Sequence, residues 1–216
     1  MASEAISAKA GYHHGDLVAA LISQARELVA ANGADHVSMR EVAAKIGVSP
    51  SAVYHHFPDK DALLGALGRT IFEELADEQE AASKAIPGKS ATATRKRFRA
   101  IGVAYFSFAK SNPNLFRLCF GPLCAMGKFD EKANSRAWQL LVSGLEEMSA
   151  IGAVDPAVRP NAEILVWAAI HGSSMLVLDG LLPEEAIHLV LDSIEVALQG
   201  AAPVTKLKTV NRVAKK

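Results

Sequence analysis

Several things are scarce in this 216-residue chain, and each scarcity removes a class of protein. There are two cysteines, Cys119 and Cys124, spaced C-x4-C inside an apolar segment. A single pair with no secretory signal favours reduced, packed thiols over a disulfide scaffold. The N-terminal MASEAISAKAGYHHGDL has no apolar core of the kind a signal peptide needs, so a cytoplasmic protein is expected. Lys plus Arg and Asp plus Glu number 23 each, so bulk charge names neither an acidic nor a basic partner. Sustained period-two alternation is absent, and no Asn-Gly or Asp-Gly step joins two alternating runs as a hairpin turn would, which argues against hairpins. Phosphate-cradling Gly-rich loops and Gly-x-Ser-x-Gly are missing too. His171 and Asp179, the one imaginable catalytic pair, stand about 12 Å apart along a helix. A non-enzyme without cofactor is expected.

Long uninterrupted apolar runs are also lacking. The most apolar stretch, Ile164 to Leu182, is broken by His171, Ser173, Ser174 and Asp179. Those groups are costly at a bilayer centre, so the stretch reads as a buried helix rather than a membrane span.

What is there is helical spacing. Half the residues are apolar and about a fifth are charged, ordinary for a globular chain. Leu17, Leu21, Ala25, Leu28 and Val29 recur at three- and four-residue steps and stop at Asn32-Gly33. Ser38 with Glu41 three residues on has the form of a capping box, opening a helix with Met39, Val42, Ala43 and Ile46 inward. Gly47 supplies a turn, and Ser49-Pro50 an N-cap followed by proline at the first helical position. That third helix runs only from about Pro50 to His56 before Phe57-Pro58-Asp59 breaks it. A longer helix follows from Asp59 or Lys60 through Leu63, Leu67, Ile71 and Leu75 to about Ala82. Ile86-Pro87-Gly88-Lys89-Ser90 is the clearest loop. Beyond it the spacing predicts helices at roughly 92–111, 113–119, 130–152, 161–181 and 183–199. The fold class is all-α, with about nine helices. The expected division is a helix-turn-helix domain over 1–60, a connecting helix over 61–85, a helical domain over 86–202 and a basic, disordered tail over 203–216.

Two helices of about eight and seven residues joined by a glycine turn form the helix-turn-helix pattern, whose second helix lies in the major groove. SPSAVYHH is too short and polar for an ordinary buried helix: Val53 can face the core, while Ala52 is small and the rest are polar or aromatic. Ser49 and Ser51 can donate to phosphate or base edges, and Tyr54 and His55 can reach phosphate oxygens. Lys60 can add a charge-assisted phosphate contact. Ser38, Arg40, Ser49, Pro50, Ser51, Ala52, Tyr54, His55 and Lys60 are therefore the candidate DNA contacts.

The segment VSMREVAAKIGVSPSAVYHHFPDKDALL resembles the DNA-binding domain of TetR-family transcriptional regulators. Ser38, Val42, Ala43, Gly47, Val48, Ser49, Val53, Tyr54, Phe57, Lys60 and Leu63 carry the resemblance, in order and spacing. Ser51 departs from the family's frequent glycine. YHHGDL upstream, and VWAAIHGSSMLVLDG at Val166 to Gly180, resemble one branch whose C-terminal domain bears a Trp-His-Gly signature. The resemblance implies a dimer that binds a palindromic operator in double-stranded DNA. It also implies a repressor released by a small molecule held in the C-terminal domain. The last two helices would pair with their mates in a four-helix interface, and Ala168, Ala169, Gly172, Ser173 and Ser174 would permit close approach. Residues 1–60 carry five basic against six acidic residues, so binding would rely on placed donors, with a shallow salt dependence. The basic stretch near Arg95 to Arg99, or the tail, would help. The alternative is a dimeric small-molecule-binding or scaffolding protein that reads no specific DNA.

Four of the seven histidines fall in two doublets, His13-His14 and His55-His56. Neighbours on a helix point about 100° apart, so a doublet cannot easily hold one metal ion, and no H-E-x-x-H or finger spacing supplies further ligands. No metal site is expected. His55 reads as a DNA contact; for His13 and His14 packing and backbone contact both stand open. In the C-terminal half Phe98, Tyr105, Phe106, Phe116, Trp138, Trp167, His171 and Met175 are candidates to line a cavity for an apolar or aromatic effector. Trp167, His171 and Met175 share a face at four-residue steps. His171 reads equally as a ligand contact or as a satisfied core histidine.

Overall fold

The computed structural model describes residues 14–121 and 135–200, and their regular elements are all helical: nine α-helices and two short 3-10 turns. The helices are α1 His14–Asn32, α2 Met39–Ile46, α3 Pro50–His56, α4 Lys60–Lys84, α5 Ala91–Ser111, α6 Pro113–Phe120, α7 Arg136–Ala150, α8 Ala162–Leu178 and α9 Ala186–Leu198. The all-α expectation holds. The last two helices are shorter than the periodicity suggests. Pro160 sits in a 3-10 turn, Arg159–Asn161, ahead of α8. A turn closed by the Ala186 N–H on the Pro183 carbonyl (3.1 Å) precedes α9. His13, Cys124, Phe129, the side chain of His14, the first part of the helix expected from 130, and the basic stretch 203–216 lie outside the described residues.

The chain forms two compact units, the first from residues 1–78 and 107–139, the second from 79–106 and 140–216. In the first, α1 buries Leu21, Ala25, Leu28 and Val29, the stripe its spacing predicts. Met39, Val42 and Ala43 of α2 and Leu63, Leu67, Ile71 and Leu75 of α4 are buried as well. Between them, Arg26 of α1 donates to both carboxylate oxygens of Glu74 on α4, each at 2.7 Å. One guanidinium nitrogen, Nη1, makes both bonds, so this is a charge-assisted contact shared over the two oxygens rather than a two-nitrogen fork. Asn114 Nδ2 donates to the Ala30 carbonyl at 2.9 Å and ties α6 to the end of α1. Phe116 is fully buried, 4.7 Å from the Phe120 ring, which lies 5.3 Å from Phe72. Cys119 is buried, and its thiol donates to the Gly68 carbonyl at 3.7 Å. Arg136 pairs with Glu73 (3.0 Å) and Asp77.

In the second unit glycine permits close helix crossings. A Cβ on Gly102 would lie 2.7 Å from Leu191, and one on Gly144 would lie 2.9 Å from the Phe98 ring. Helices α8 and α9 pack together, burying Val166, Ile170, Ser173 and Ser174 of the first and Ile187, Leu191, Ile194 and Leu198 of the second. The two serine hydroxyls donate back to Ala169 and Ile170 carbonyls, so their burial costs little. Arg97 bonds Glu147 (2.7 Å) and Arg99 bonds Asp192 (2.7 Å). Two members of the basic stretch offered as a DNA aid are thereby engaged within their own unit.

Helix α8 departs from the expectation of burial. Ile164, Leu165 and Leu176 are exposed, because the helix is apolar on every side while its own unit covers only one. By length and composition Arg159–Leu178 is apolar enough to cross a membrane, yet only 28% of that window is buried.

Two outcomes follow for stability. Gly47 adopts φ 74°, ψ 30°, so Gly47→Ala places a Cβ in the left-handed region and loses about 1 kcal/mol in urea unfolding. Burial, then the like charge of Glu74, raises the Glu78 carboxyl above its ordinary 4.5. A raised acid contributes an unfavourable charge that appears as pH climbs above 4.5 and vanishes below it. Glu78→Gln therefore gains a little stability at pH 7, and the gain disappears on acidification to pH 4, read from paired thermal melts.

Candidate nucleic-acid interface

A helix as short as α3 needs every local device to form. Its start is set by Ser49, whose hydroxyl oxygen accepts the Ala52 N–H at 3.2 Å, and by Pro50 at the first helical position. The preceding turn is Gly47, whose N–H donates to the Ala43 and Ala44 carbonyls as α2 ends. Val53 is fully buried and Phe57 is 8% exposed, its N–H closing α3 on the Val53 carbonyl at 2.9 Å. Asp59 caps the next helix by accepting the Ala62 N–H at 2.7 Å. At α2 the outcome differs. Ser38 stands at the N-cap position, but its side chain makes no capping bond, so the capping box is not formed. That helix starts instead on the Val42 N–H to Ser38 carbonyl bond and buried Met39.

The nine DNA-contact candidates lie in one stretch of the first unit. Ser38, Arg40, Ser49, Pro50, Ser51, Tyr54 and His55 are exposed, and Ala52 is half-buried. Tyr54 is 49% exposed, a large aromatic group turned away from the core. Ser49 and Ser51 hydroxyls lie 3.4 Å apart, and the His55 and His56 rings meet edge-on at 5.4 Å. Lys60 is half-buried, and its ammonium donates to the Asp35 carbonyl at 2.9 Å. With three donors on an ammonium, that bond leaves others to offer a phosphate. Among the described residues no three His, Cys, Asp or Glu side chains converge as metal ligands.

Of the effector candidates, Phe98, Tyr105, Phe106, Trp167, His171 and Met175 belong to the second unit, and Phe116 and Trp138 to the first. Within the second unit the Tyr105 hydroxyl lies 2.9 Å from His171 Nδ1, and the Trp167 and His171 rings lie 5.5 Å apart at 31°. Phe98, Tyr105 and Phe106 are buried; Trp167, His171 and Met175 are half-buried. One polar group escaped the sequence reading. Gln79 is 4% exposed, continuing the four-residue steps of Leu67, Ile71 and Leu75 along α4. A polar residue in register with that apolar stripe was the available signal.

A short outward-facing helix behind a glycine turn, packed on α2, has the form of the helix-turn-helix that DNA-binding proteins use. Residues 21–67 match the N-terminal model of the bacterial regulatory proteins of the tetR family, and residues 98–197 match a tetracyclin repressor-like C-terminal domain. The chain belongs to the TetR family of transcription regulators. It is 41% identical over 56 residues to an HTH-type transcriptional repressor of Mycobacterium tuberculosis, covering 26% of this chain and 30% of that protein. It is 30% identical over 101 residues to the nucleoid occlusion factor SlmA of Cronobacter sakazakii, covering 47% and 48%. The chain thus spans half or less of these curated relatives. A protein of unknown function from Rhodococcus sp. RHA1 has a solved structure that superposes with TM-score 0.73 at 29% identity, covering 88% of this chain and 100% of that one.

The burial pattern separates stability from surface chemistry within α3. Ser49→Ala removes the cap and costs about 1 kcal/mol in denaturant unfolding. Tyr54→Phe, at an exposed position, leaves stability unchanged within about 0.5 kcal/mol.

Proposed function

We propose that this chain is a homodimeric transcriptional repressor that binds a palindromic operator and is released by a small effector. The observation that carries the reading is the outward face of α3, where Ser51, Tyr54 and His55 are exposed around the single buried Val53. Hydroxyl, phenol and imidazole groups suit phosphate oxygens and base edges alike. Ser38 and Arg40 flank them from α2, and Lys60 adds charge from the start of α4. Residues 1–60 form the DNA-reading head on this reading, 61–85 the connecting helix and 86–202 the effector-binding and dimerisation part.

The dimer is supported by apolar surface that one chain leaves uncovered. Ile164, Leu165 and Leu176 of α8, with Leu189 and Val196 of α9, are 40% to 69% exposed. A patch of that kind marks an association site, and a twofold axis lets the same patch meet itself. Exposed Ala168 and half-buried Gly172 allow the backbones to approach between them. Two heads held by one axis read two half-sites, which a lone helix of seven residues cannot do with useful specificity. The pairing also gives the apolar α8 a use other than crossing a membrane, in keeping with a cytoplasmic regulator. The protein acts by binding, without catalysis.

Selection of fragmented genomic DNA by the purified full chain at moderate salt tests the reading. An enriched inverted repeat is expected; a folded dimer that enriches none overturns the repressor and favours a ligand-binding protein. In the same assay Tyr54→Phe weakens operator affinity several-fold. Leu189→Arg puts a charge in the proposed interface, so light scattering reads a monomer and operator affinity falls at least tenfold.

A further inference from the structure

The described residues bury four polar side chains: Gln79, Thr94, Ser173 and Ser174. Three are matched. Thr94 accepts from Arg97 at 3.0 Å, and the two serines donate to helix carbonyls. Gln79 is half matched: Nε2 donates to the Ile101 carbonyl at 3.3 Å, while buried Oε1 has no partner. Turning the amide over does not repair this, because a carbonyl cannot donate and Ile101 would then face an oxygen. The unmatched atom is therefore an acceptor, held in place by the bond its own nitrogen makes. An unmatched buried acceptor is costly, and a partner donor recovers that cost.

The neighbourhood defines what that partner is. Ile101, whose carbonyl receives Gln79, and Tyr105 are one turn apart on the same face of α5. Tyr105 in turn meets His171, with Trp167 against it. Phe98 and Ile101 are buried on the same stretch of α5. None of the buried polar side chains described is charged, so a charged ligand enclosed here would lack a counter-ion.

We infer that Gln79 Oε1 is the recognition acceptor for the effector, and that the effector is a small, neutral, largely aromatic or apolar molecule carrying one hydrogen-bond donor, such as a phenolic or alcoholic hydroxyl. This rests on the effector-released regulator proposed above and names the chemistry of its effector. A hydroxyl that donates to Oε1 gains a hydrogen bond that its methyl ether cannot make, so the site prefers the donor.

The test uses the purified chain and two probes of similar shape, 2-naphthol, which donates, and 2-methoxynaphthalene, which only accepts. Binding is read by calorimetric titration, and the thermal midpoint is recorded for each variant. Wild type is expected to bind 2-naphthol about tenfold more tightly than its methyl ether. Gln79→Leu removes the acceptor without leaving a polar orphan, so it folds with an equal or higher midpoint and binds the two probes alike. Gln79→Glu, which keeps an acceptor, retains a preference for 2-naphthol and serves as the second variant. Equal binding of the probes by wild type, binding of neither, or a preference that survives in Gln79→Leu overturns the inference. Operator binding is measured on the same preparations. An intact operator complex alongside failed discrimination removes the effector assignment alone, whereas loss of the operator in wild type removes the regulator reading itself.

Discussion

The structure of the head depends on how a seven-residue helix with one fully buried side chain is kept folded. Helix nucleation is unfavourable, and α3 is too short to recover that cost by its own hydrogen bonds. It is held instead by its ends. Ser49 and Pro50 fix the start, Gly47 fixes the approach, and Phe57 closes the exit while burying its ring. Placing the stabilising groups at the ends frees the middle. Ser51, Tyr54 and His55 are exposed, so the folding of the helix does not rest on their burial. A longer apolar helix would fold more readily and offer less.

The same division of labour explains the scaffold behind it. Within the first unit α1 and α4 each bury an aliphatic stripe, and such burial attracts without direction. The charge-assisted bonds from Arg26 Nη1 to the Glu74 carboxylate add the direction that aliphatic contact lacks. Both partners are about a third exposed, so the pair contributes alignment more than stability. In the second unit the roles reverse. There the glycines at 102 and 144 let large side chains close in, and the polar groups at Ser173 and Ser174 are absorbed by their own helix.

Much of this was legible in the sequence because it is local. Cap and turn chemistry fixed α3 nearly to the residue, and three- and four-residue steps found the buried stripes of α1, α2 and α4. Ser38 shows the limit of local reasoning, since the right residues at the right spacing did not form the capping box. Contacts between residues far apart in the chain were not legible. Arg26 with Glu74 and Tyr105 with His171 join positions that no spacing rule relates. For α8 the sequence carried both an expectation of burial and one of pairing with a second copy, and one chain leaves Ile164, Leu165 and Leu176 exposed. Uniform apolarity says that every face avoids water, but not whether its own chain or a second copy provides the cover.

Gln79 brings these threads to one helix. Along α4 the apolar stripe runs Leu67, Ile71, Leu75, and its next member is an amide where another leucine would pack without an unmatched atom. For stability alone that choice is poor, and such local losses tend to fall at functional positions. Lys60 opens the same helix directly after the break that follows α3. A ligand coupled to one end of a helix acts on the other only if it binds two arrangements with different affinity. An apolar face supplies little of that difference, because aliphatic contacts survive small displacements. A single hydrogen bond to a fixed buried acceptor supplies more, because distance and angle must both be met. On the proposed reading, the unmatched oxygen is thus the feature of α4 best suited to make binding of the effector depend on where the helix stands.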